Sequence, residues 1–145
     1  MSKVEDFLTQ QEEKTIIEAI KIAENNTSGE IRVHIEKETD KSPMERALEV
    51  FHFLKMDITE LRNGVLIYIA VESKKFAILG DEGINAKVPE NFWETEKELI
   101  LKHFKKGEFV KGLELAILEA GAKLKEFFPH LSNDTNELSD EISKG

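Results

Sequence analysis

Cysteine is absent from the 145 residues of this chain. Disulfides, thiolate nucleophiles, cysteine-ligated zinc and iron–sulfur clusters are therefore excluded, and several classes of enzyme with them. Basic residues are also in deficit, with 20 lysines and arginines against 29 aspartates and glutamates and a formal net charge of -9. Because nonspecific nucleic-acid binding depends on basic side chains that neutralise phosphates, we expect no nucleic-acid partner. Cations and basic protein partners suit this charge better.

Long apolar runs are missing as well. No segment approaches the roughly 18 apolar residues of a membrane span, and the charged N-terminus lacks the apolar core of a signal peptide. The sequence thus predicts a cytoplasmic, monomeric protein without a membrane span. Its length and its 40% hydrophobic content suit one domain, which we place at residues 1–130. Residues 131–145 are acidic with few apolar side chains, a composition typical of a disordered tail.

Four segments show apolar residues three and four positions apart, the spacing of amphipathic helices. They predict helices over residues 9–24, 44–56, 92–104 and 108–128. Ser42 followed by Pro43 is typical of an N-cap and the first helical position. Gly112 and Gly121 lie inside the last helix, where each costs roughly 1 kcal/mol relative to alanine. We therefore expect these glycines to allow close packing against another element.

Three further segments predict β-strands. "EIRVHIEKE" at 30–38 alternates apolar and polar residues, which indicates a half-buried strand near a sheet edge. "NGVLIYIAV" at 63–71 is apolar at nearly every position, which is typical of a central strand covered on both faces. The short polar "ESKK" and the apolar "FAILG" at 76–80 complete an antiparallel hairpin. The order of elements predicts an α/β fold, a three-layer α/β/α sandwich with a small mixed sheet.

This topology brings three loops to one edge of the sheet. The first two strands flank a helix and should be parallel, and the hairpin reverses the third. Glu30 at the start of the first strand, Arg62 and Asn63 before the second, and Asp81 and Glu82 after the third should therefore meet. Carboxylate and amide oxygens are the hard ligands that Ca²⁺ and Mg²⁺ prefer. We therefore predict a divalent-cation site formed by Glu30, Asn63, Asp81 and Glu82.

Simpler interpretations of this edge stay open. "GDEG" at 80–83 lacks the regular spacing of an EF-hand loop and can be a solvated turn whose glycines supply positive φ angles. Arg62 can balance the charge of Asp81 or Glu30 as a surface ion pair, or it can hold a phosphate.

The remaining polar residues give weaker signals. A second acidic group is expected at the opposite edge of the sheet and comprises Glu36, Glu38, Asp40 and Glu72. The four histidines form no HxH or HExxH spacing, so each is more simply a surface or boundary residue than a metal ligand: His34, His52, His103 and His130.

Four segments together resemble the TPM domain family, also called the TPM-type phosphatase domain: "SGEIRV" at 28–33, "RNGVLIYIA" at 62–70, "FAILGDEGI" at 76–84, and "FxxG" before a long amphipathic helix. The resemblance covers roughly residues 5–130 and implies a compact α/β/α sandwich. It also implies two activities, since some plant thylakoid-lumen relatives are described as acid phosphatases and members are associated with bound calcium. The positions that match the family pattern are Glu30, Asn63, Gly64, Gly80, Asp81 and Gly83. Arg62 departs from that pattern, because many relatives have an acidic residue there.

Three functions follow. The first is a divalent-cation-binding module, which we favour because the chain has no recognisable catalytic motif. The second is a metal-assisted phosphatase, with Asp81 as ligand or general base, Glu30 as ligand and Arg62 as phosphate clamp. The third is a protein-interaction module that docks a peptide or the tail of a membrane protein, for example between the last two helices.

Overall fold

A computed structural model describes residues 9–25, 27–58, 62–70, 72, 75–88, 92–128 and 142–144. Within these ranges the chain forms α1 (Gln10–Asn25), β1 (Glu30–Glu36), α2 (Pro43–Phe53), β2 (Gly64–Ala70), β3 (Lys75–Gly80), α3 (Glu82–Asn85), α4 (Phe92–Lys105), α5 (Phe109–Phe127) and β4 (Ser143–Lys144). The four predicted helices and three predicted strands are all present, with small differences at their ends. None of the described helices is long and apolar enough to cross a membrane.

The strands form one mixed sheet in the order β3-β2-β1-β4. β1 and β2 are parallel, with Glu30 opposite Gly64, because α2 returns the chain to the end at which β1 began. β2 and β3 are antiparallel, with Val65 opposite Gly80. The predicted mixed sheet, with a central strand between a parallel and an antiparallel neighbour, is therefore confirmed.

Each face of the sheet carries its own apolar core. On one face α1, α4 and α5 cover alternate residues of β1, β2 and β3, including Val33, Ile67 and Ile78. On the other face α2 packs against β2 and β3, where Leu66 and Tyr68 are fully buried. All seven residues of β2 are buried, as the continuous apolar run predicts. The protein is thus a three-layer α/β/α sandwich.

Close helix packing explains the glycines of α5. A Cβ atom added at Gly121 would lie 2.5 Å from the Cβ of Ala23 in α1, and one added at Gly112 would lie 2.6 Å from the Cβ of His103 in α4. Both separations are too short for carbon atoms in contact. The expectation that these glycines allow close approach is confirmed.

Two features of β1 differ from the sequence-based prediction. The strand is almost entirely buried, with only Arg32 partly exposed, and it is paired on both sides instead of lying near the edge. Its second neighbour is β4, which is parallel to β1 and belongs to the segment predicted to be disordered. Ile142 also packs against the apolar core, so residues 142–144 are held by tertiary contacts that composition does not reveal. Residues 131–141 and 145 of that segment, and Ser73 and Lys74 of the "ESKK" turn, lie outside the described residues.

Candidate functional site

Three loops meet at the end of the sheet where β1 and β2 begin and β3 finishes, and we call this end the rim. Backbone hydrogen bonds fix them to one another: Glu30 N donates to Asn63 O at 3.3 Å, and Asp81 N donates to Gly64 O at 2.9 Å. Gly83 N donates to Arg62 O at 2.8 Å. The topology therefore places the five predicted site residues together, and their backbone positions are set by the ladder of the sheet.

Asp81 is the central side chain of the rim. It directly follows β3 and caps the short helix α3, where Oδ1 accepts a hydrogen bond from Glu82 N at 2.8 Å. Arg62 donates to the same carboxylate twice, from Nε to Oδ2 at 2.7 Å and from Nη2 to Oδ1 at 2.9 Å. The Arg62 Nη1 lies 3.2 Å from Glu82 Oε1. "GDEG" is therefore a capped helical turn, and Arg62 is the counter-ion of its two carboxylates.

Glu30 and Asn63 form the inner part of the rim. They are only 4% and 3% exposed, and Asn63 Nδ2 donates to Ser28 O at 3.2 Å. Ser28 N in turn donates to Phe128 O at 2.8 Å, which ties the start of β1 to the end of α5. These two predicted ligands therefore sit on a rigid base formed by the sheet and the last long helix.

The electrostatics of the rim are dominated by Arg62. Its hydrogen bonds to Asp81 raise the pKa of the guanidinium above its ordinary value, so Arg62 stays charged. Within the described part of the chain, no group of three or more histidine, aspartate or glutamate side chains is arranged to hold a metal ion. The donors have the chemistry that a hard cation prefers, but they are arranged around a guanidinium.

This arrangement bears on the predicted roles of Arg62. Its Nε and Nη2 donate to Asp81, and its Nη1 lies beside Glu82. A guanidinium committed to two carboxylates does not present its planar fork to a phosphate. The sequence left two roles open for Arg62, charge balance and phosphate binding. In the structure Arg62 balances the charge of the carboxylates.

A second polar cluster, which sequence analysis did not single out as a site, lies at the other end of β1. Arg46 of α2 donates to Glu36 from Nε and from Nη2, both at 2.9 Å. The hydroxyl of Tyr68 also donates to Glu36, and His34 Nε2 lies 3.3 Å from its Oε1. We call these four residues the Glu36 network. Sequence analysis had noted two of them: Glu36 as one of four acids at that edge, and His34 as a surface or boundary residue. The second expectation is wrong, because His34 is only 5% exposed.

Burial and hydrogen bonds shift the pKa values of the Glu36 network. Burial alone would raise the pKa of Glu36, but hydrogen bonds from Arg46, Tyr68 and His34 outweigh it and lower the pKa to about 2. Burial raises the pKa of Tyr68 and lowers that of His34, in spite of its hydrogen bond to Glu36. At neutral pH the network therefore holds an ionised glutamate, a neutral histidine and a charged arginine.

The sequence contains one signal for this network. Tyr68 is the single residue with a side-chain hydroxyl in an otherwise apolar, fully buried strand, and a buried phenol needs a hydrogen-bond partner. The neighbouring strand β1 has polar residues at alternate positions, and these could supply the hydrogen-bond partner. Arg46 forms the ion pair with Glu36. It lies on a helix whose sequence has no feature that sets this arginine apart.

Comparison with known proteins places the chain among relatives. Residues 1–123 match the family model of the TPM domain. The solution structure of the BA42 protein from the psychrophilic bacterium Bizionia argentinensis is 54% identical, covers 100% of both chains and superposes with a TM-score of 0.92. The solution structure of the N-terminal domain of a protein from P. gingivalis is 15% identical, covers 87% of this chain and 83% of that one, and superposes with a TM-score of 0.68, which shows a shared fold alone. No protein with a curated description matches the chain.

Proposed function

The chain belongs to the TPM domain family, and we propose that it is a divalent-cation-binding module whose site is the rim. The ligands would be Glu30, Asn63, Asp81 and Glu82, and the cation calcium or magnesium. The observation that carries the proposal is that the three loops bearing these residues meet, through backbone hydrogen bonds, at one end of the sheet.

Charge supports this function. Three carboxyl groups and one guanidinium lie at the rim, so their formal charges leave an excess of negative charge. The net charge of -9 on the whole chain also attracts cations from solution. Carboxylate and amide oxygens in this number suit calcium, which accepts variable geometry, better than magnesium, which demands a near-ideal octahedron.

Arg62 determines how such a site would operate. Its side chain is 38% exposed, whereas that of Asp81 is 6% exposed, so the arginine covers the carboxylate from the solvent side. A cation would reach Asp81 and Glu82 by displacing the guanidinium outward. Because the exchange breaks an existing ion pair, we expect weak binding, with a dissociation constant on the order of 1 mM or somewhat below, as in calcium modules of low affinity.

The test is a calcium and magnesium titration followed by amide chemical shifts. We expect saturable shifts at Glu30, Asn63, Asp81 and Glu82 at millimolar cation, larger for calcium. Asp81→Asn removes the central carboxylate charge and should abolish these shifts. Glu45→Gln is the matched control, because it removes one acidic charge from an exposed position in the first turn of α2 and should leave the titration unchanged.

Two outcomes would contradict the proposal. One is the absence of shifts at the rim at millimolar cation. The other is an unchanged titration in Asp81→Asn, since that would place the bound cation elsewhere on an acidic surface.

Phosphoester hydrolysis is the weaker candidate, supported by family resemblance and opposed by the commitment of Arg62 to carboxylates. Its test is the hydrolysis of an aryl phosphate with and without calcium or magnesium. Turnover that needs the cation and is lost in Asp81→Asn would support a metal-assisted phosphatase at the rim. Turnover that survives both Asp81→Asn and chelation would exclude the rim as its site.

A further inference from the structure

Asn85 connects the end of β3 with the start of α4. It is an exposed residue at the end of α3, yet its side chain makes two hydrogen bonds to other elements. Its Nδ2 donates to Gly80 O at 2.9 Å, and its Oδ1 accepts from Trp93 Nε1 at 2.9 Å. A single surface amide therefore joins the strand, the short helix and the next long helix through polar contacts.

These contacts are specific for the residues that make them. Trp93 Nε1 only donates and Gly80 O only accepts, so one orientation of the Asn85 amide satisfies both. Aspartate would have no donor for Gly80 O, and alanine would have neither group. Gly80 adds a steric requirement, because a Cβ atom added there would overlap the indole ring of Trp93. We call Gly80, Asn85 and Trp93 the Trp93 bridge.

The Trp93 bridge restrains the turn that carries two of the predicted cation ligands. Asp81 caps α3 and Glu82 is its first residue. The helix has four residues, and a helix of one turn is not stable without contacts to the rest of the fold. Ile84 supplies one such contact, since it is fully buried in the core. The Trp93 bridge supplies another at the opposite end of the turn from Asp81.

A cation bound at the rim would restrain the same turn from its first residues. Glu30 and Asn63 are buried at the beginnings of β1 and β2. A cation that they share with Asp81 and Glu82 would join α3 directly to the sheet. Both restraints favour one position of the turn, so each stabilises the other, because the second acts on a turn that the first has already ordered.

We propose that cation binding at the rim is coupled to the hydrogen bond between Trp93 and Asn85. Both act as positioning residues, because they hold the turn that carries Asp81 and Glu82. The coupling rests on the proposed function. The positioning role does not, since Arg62 pairs with the same two carboxylates when no cation is bound. Linkage makes the coupling reciprocal: loss of the bridge weakens cation binding, and the cation strengthens the bridge.

The test uses the full chain and calcium, with Trp93 as the reporter. Trp93 is the single tryptophan of the chain, so one indole N–H resonance reports on the bridge. Asn85→Ala should weaken calcium binding at the rim about fivefold, the effect of one lost hydrogen bond on a dissociation constant. In the unaltered chain, saturating calcium should slow hydrogen exchange of the indole N–H by about the same factor. In Asn85→Ala this effect of calcium should disappear.

Two further variants separate positioning from a general loss of stability. Trp93→Phe keeps an aromatic ring and removes the N–H, and it should weaken calcium binding in the same direction as Asn85→Ala. Thr15→Val is the matched control, because it removes a side-chain hydrogen bond to the backbone of α1, a helix that carries none of the predicted ligands. It should leave both the calcium affinity and the indole exchange unchanged.

A measurement without calcium tests the positioning role by itself. If the bridge holds Asp81 in place for Arg62, hydrogen exchange at Arg62 Nε should be faster in Asn85→Ala than in the unaltered chain. Equal exchange in the two proteins would overturn the positioning role.

The outcomes distinguish this inference from the proposed function. Calcium shifts at the rim with the same affinity in Asn85→Ala and Trp93→Phe would overturn the coupling and leave the cation site standing. An absence of calcium shifts at the rim of the unaltered chain would overturn both the cation site and the coupling. Exchange at Arg62 Nε would then decide whether Asn85 positions Asp81 for its arginine.

Discussion

The two ends of the sheet each hold an arginine paired with a buried carboxylate through two hydrogen bonds. At the rim, Arg62 and Asp81 have side chains 38% and 6% exposed; in the Glu36 network, the side chains of Arg46 and Glu36 are 33% and 7% exposed. The exposures are almost equal, so burial does not distinguish the pairs. What differs is the number of other side chains on the carboxylate.

Glu36 receives hydrogen bonds from Tyr68 and His34 as well as Arg46, and these residues belong to β1, β2 and α2. Asp81 has one further donor, the backbone N–H of Glu82. A carboxylate saturated by side chains from three packed elements cannot change partners without disturbing the fold. A carboxylate whose only side-chain donor among the described residues is one arginine can change partners, which is why we place the exchangeable site at the rim.

The largest expected effect is the loss of the Glu36 carboxylate. Glu36→Ala leaves Arg46, Tyr68 and His34 without their common acceptor and should lower the free energy of unfolding by about 3–5 kcal/mol. Asp81→Ala should cost only about 1 kcal/mol, the typical effect of a lost N-cap, because Arg62 regains solvent. Urea denaturation of both variants measures the difference, and equal losses would remove the distinction between the two ends.

Acid should weaken the Glu36 network in two steps. The pKa of His34 is lowered from 6.5 and that of Glu36 from 4.5 to about 2, so the unfolded chain binds these protons more readily than the folded one. Their contribution to stability is complete above about pH 6.5 and is lost as the pH falls, first through His34 and then between pH 4.5 and 2 through Glu36. Denaturation measured across this range should show the decline.

Glu36→Gln provides the control for that pH dependence. It removes the carboxyl group that titrates, so the part of the decline between pH 4.5 and 2 should become shallower. A decline of the same steepness in the variant would show that other acids cause it.

Removing one donor should have a smaller effect than removing the acceptor. Tyr68→Phe deletes a hydrogen bond to an ionised group and should lower the free energy of unfolding by about 2 kcal/mol, while the ring stays packed. It should also raise the pKa of Glu36, because one of the bonds that favour the ionised form is gone. Carbon-13 chemical shifts of the Glu36 carboxyl group during an acid titration measure this change, and an unaltered pKa would mean that the hydroxyl does not stabilise the carboxylate.

The fold could be predicted from the sequence because the strongest patterns in the sequence are periodic. The apolar run of β2 indicates a strand that is buried on both faces. The order of the helices and strands then determines which strands pair in parallel and which antiparallel. That topology alone brings Glu30, Asn63 and Asp81 to one end, so the backbone of the rim could be predicted.

The partners of individual side chains were harder to predict from the sequence. Arg62 had acidic neighbours on two loops, and only packing selects Asp81 over Glu30. The alternation in β1 suggested solvent on one face, whereas Arg46 and Tyr68, both distant in sequence, donate hydrogen bonds to Glu36 inside the protein. β4 is two residues long, and its position depends on His34 and the core instead of any local pattern.

The most direct test of the central claim is the calcium affinity of Arg62→Gln relative to the unaltered chain. If Arg62 competes with a cation for Asp81 and Glu82, removing its charge should tighten calcium binding by about tenfold, seen as amide shifts that saturate at correspondingly lower calcium. The matched variant Arg46→Gln should leave the affinity unchanged. Calcium binding that is unaffected or weakened in Arg62→Gln would contradict the account, because Arg62 would then not occupy the cation's place.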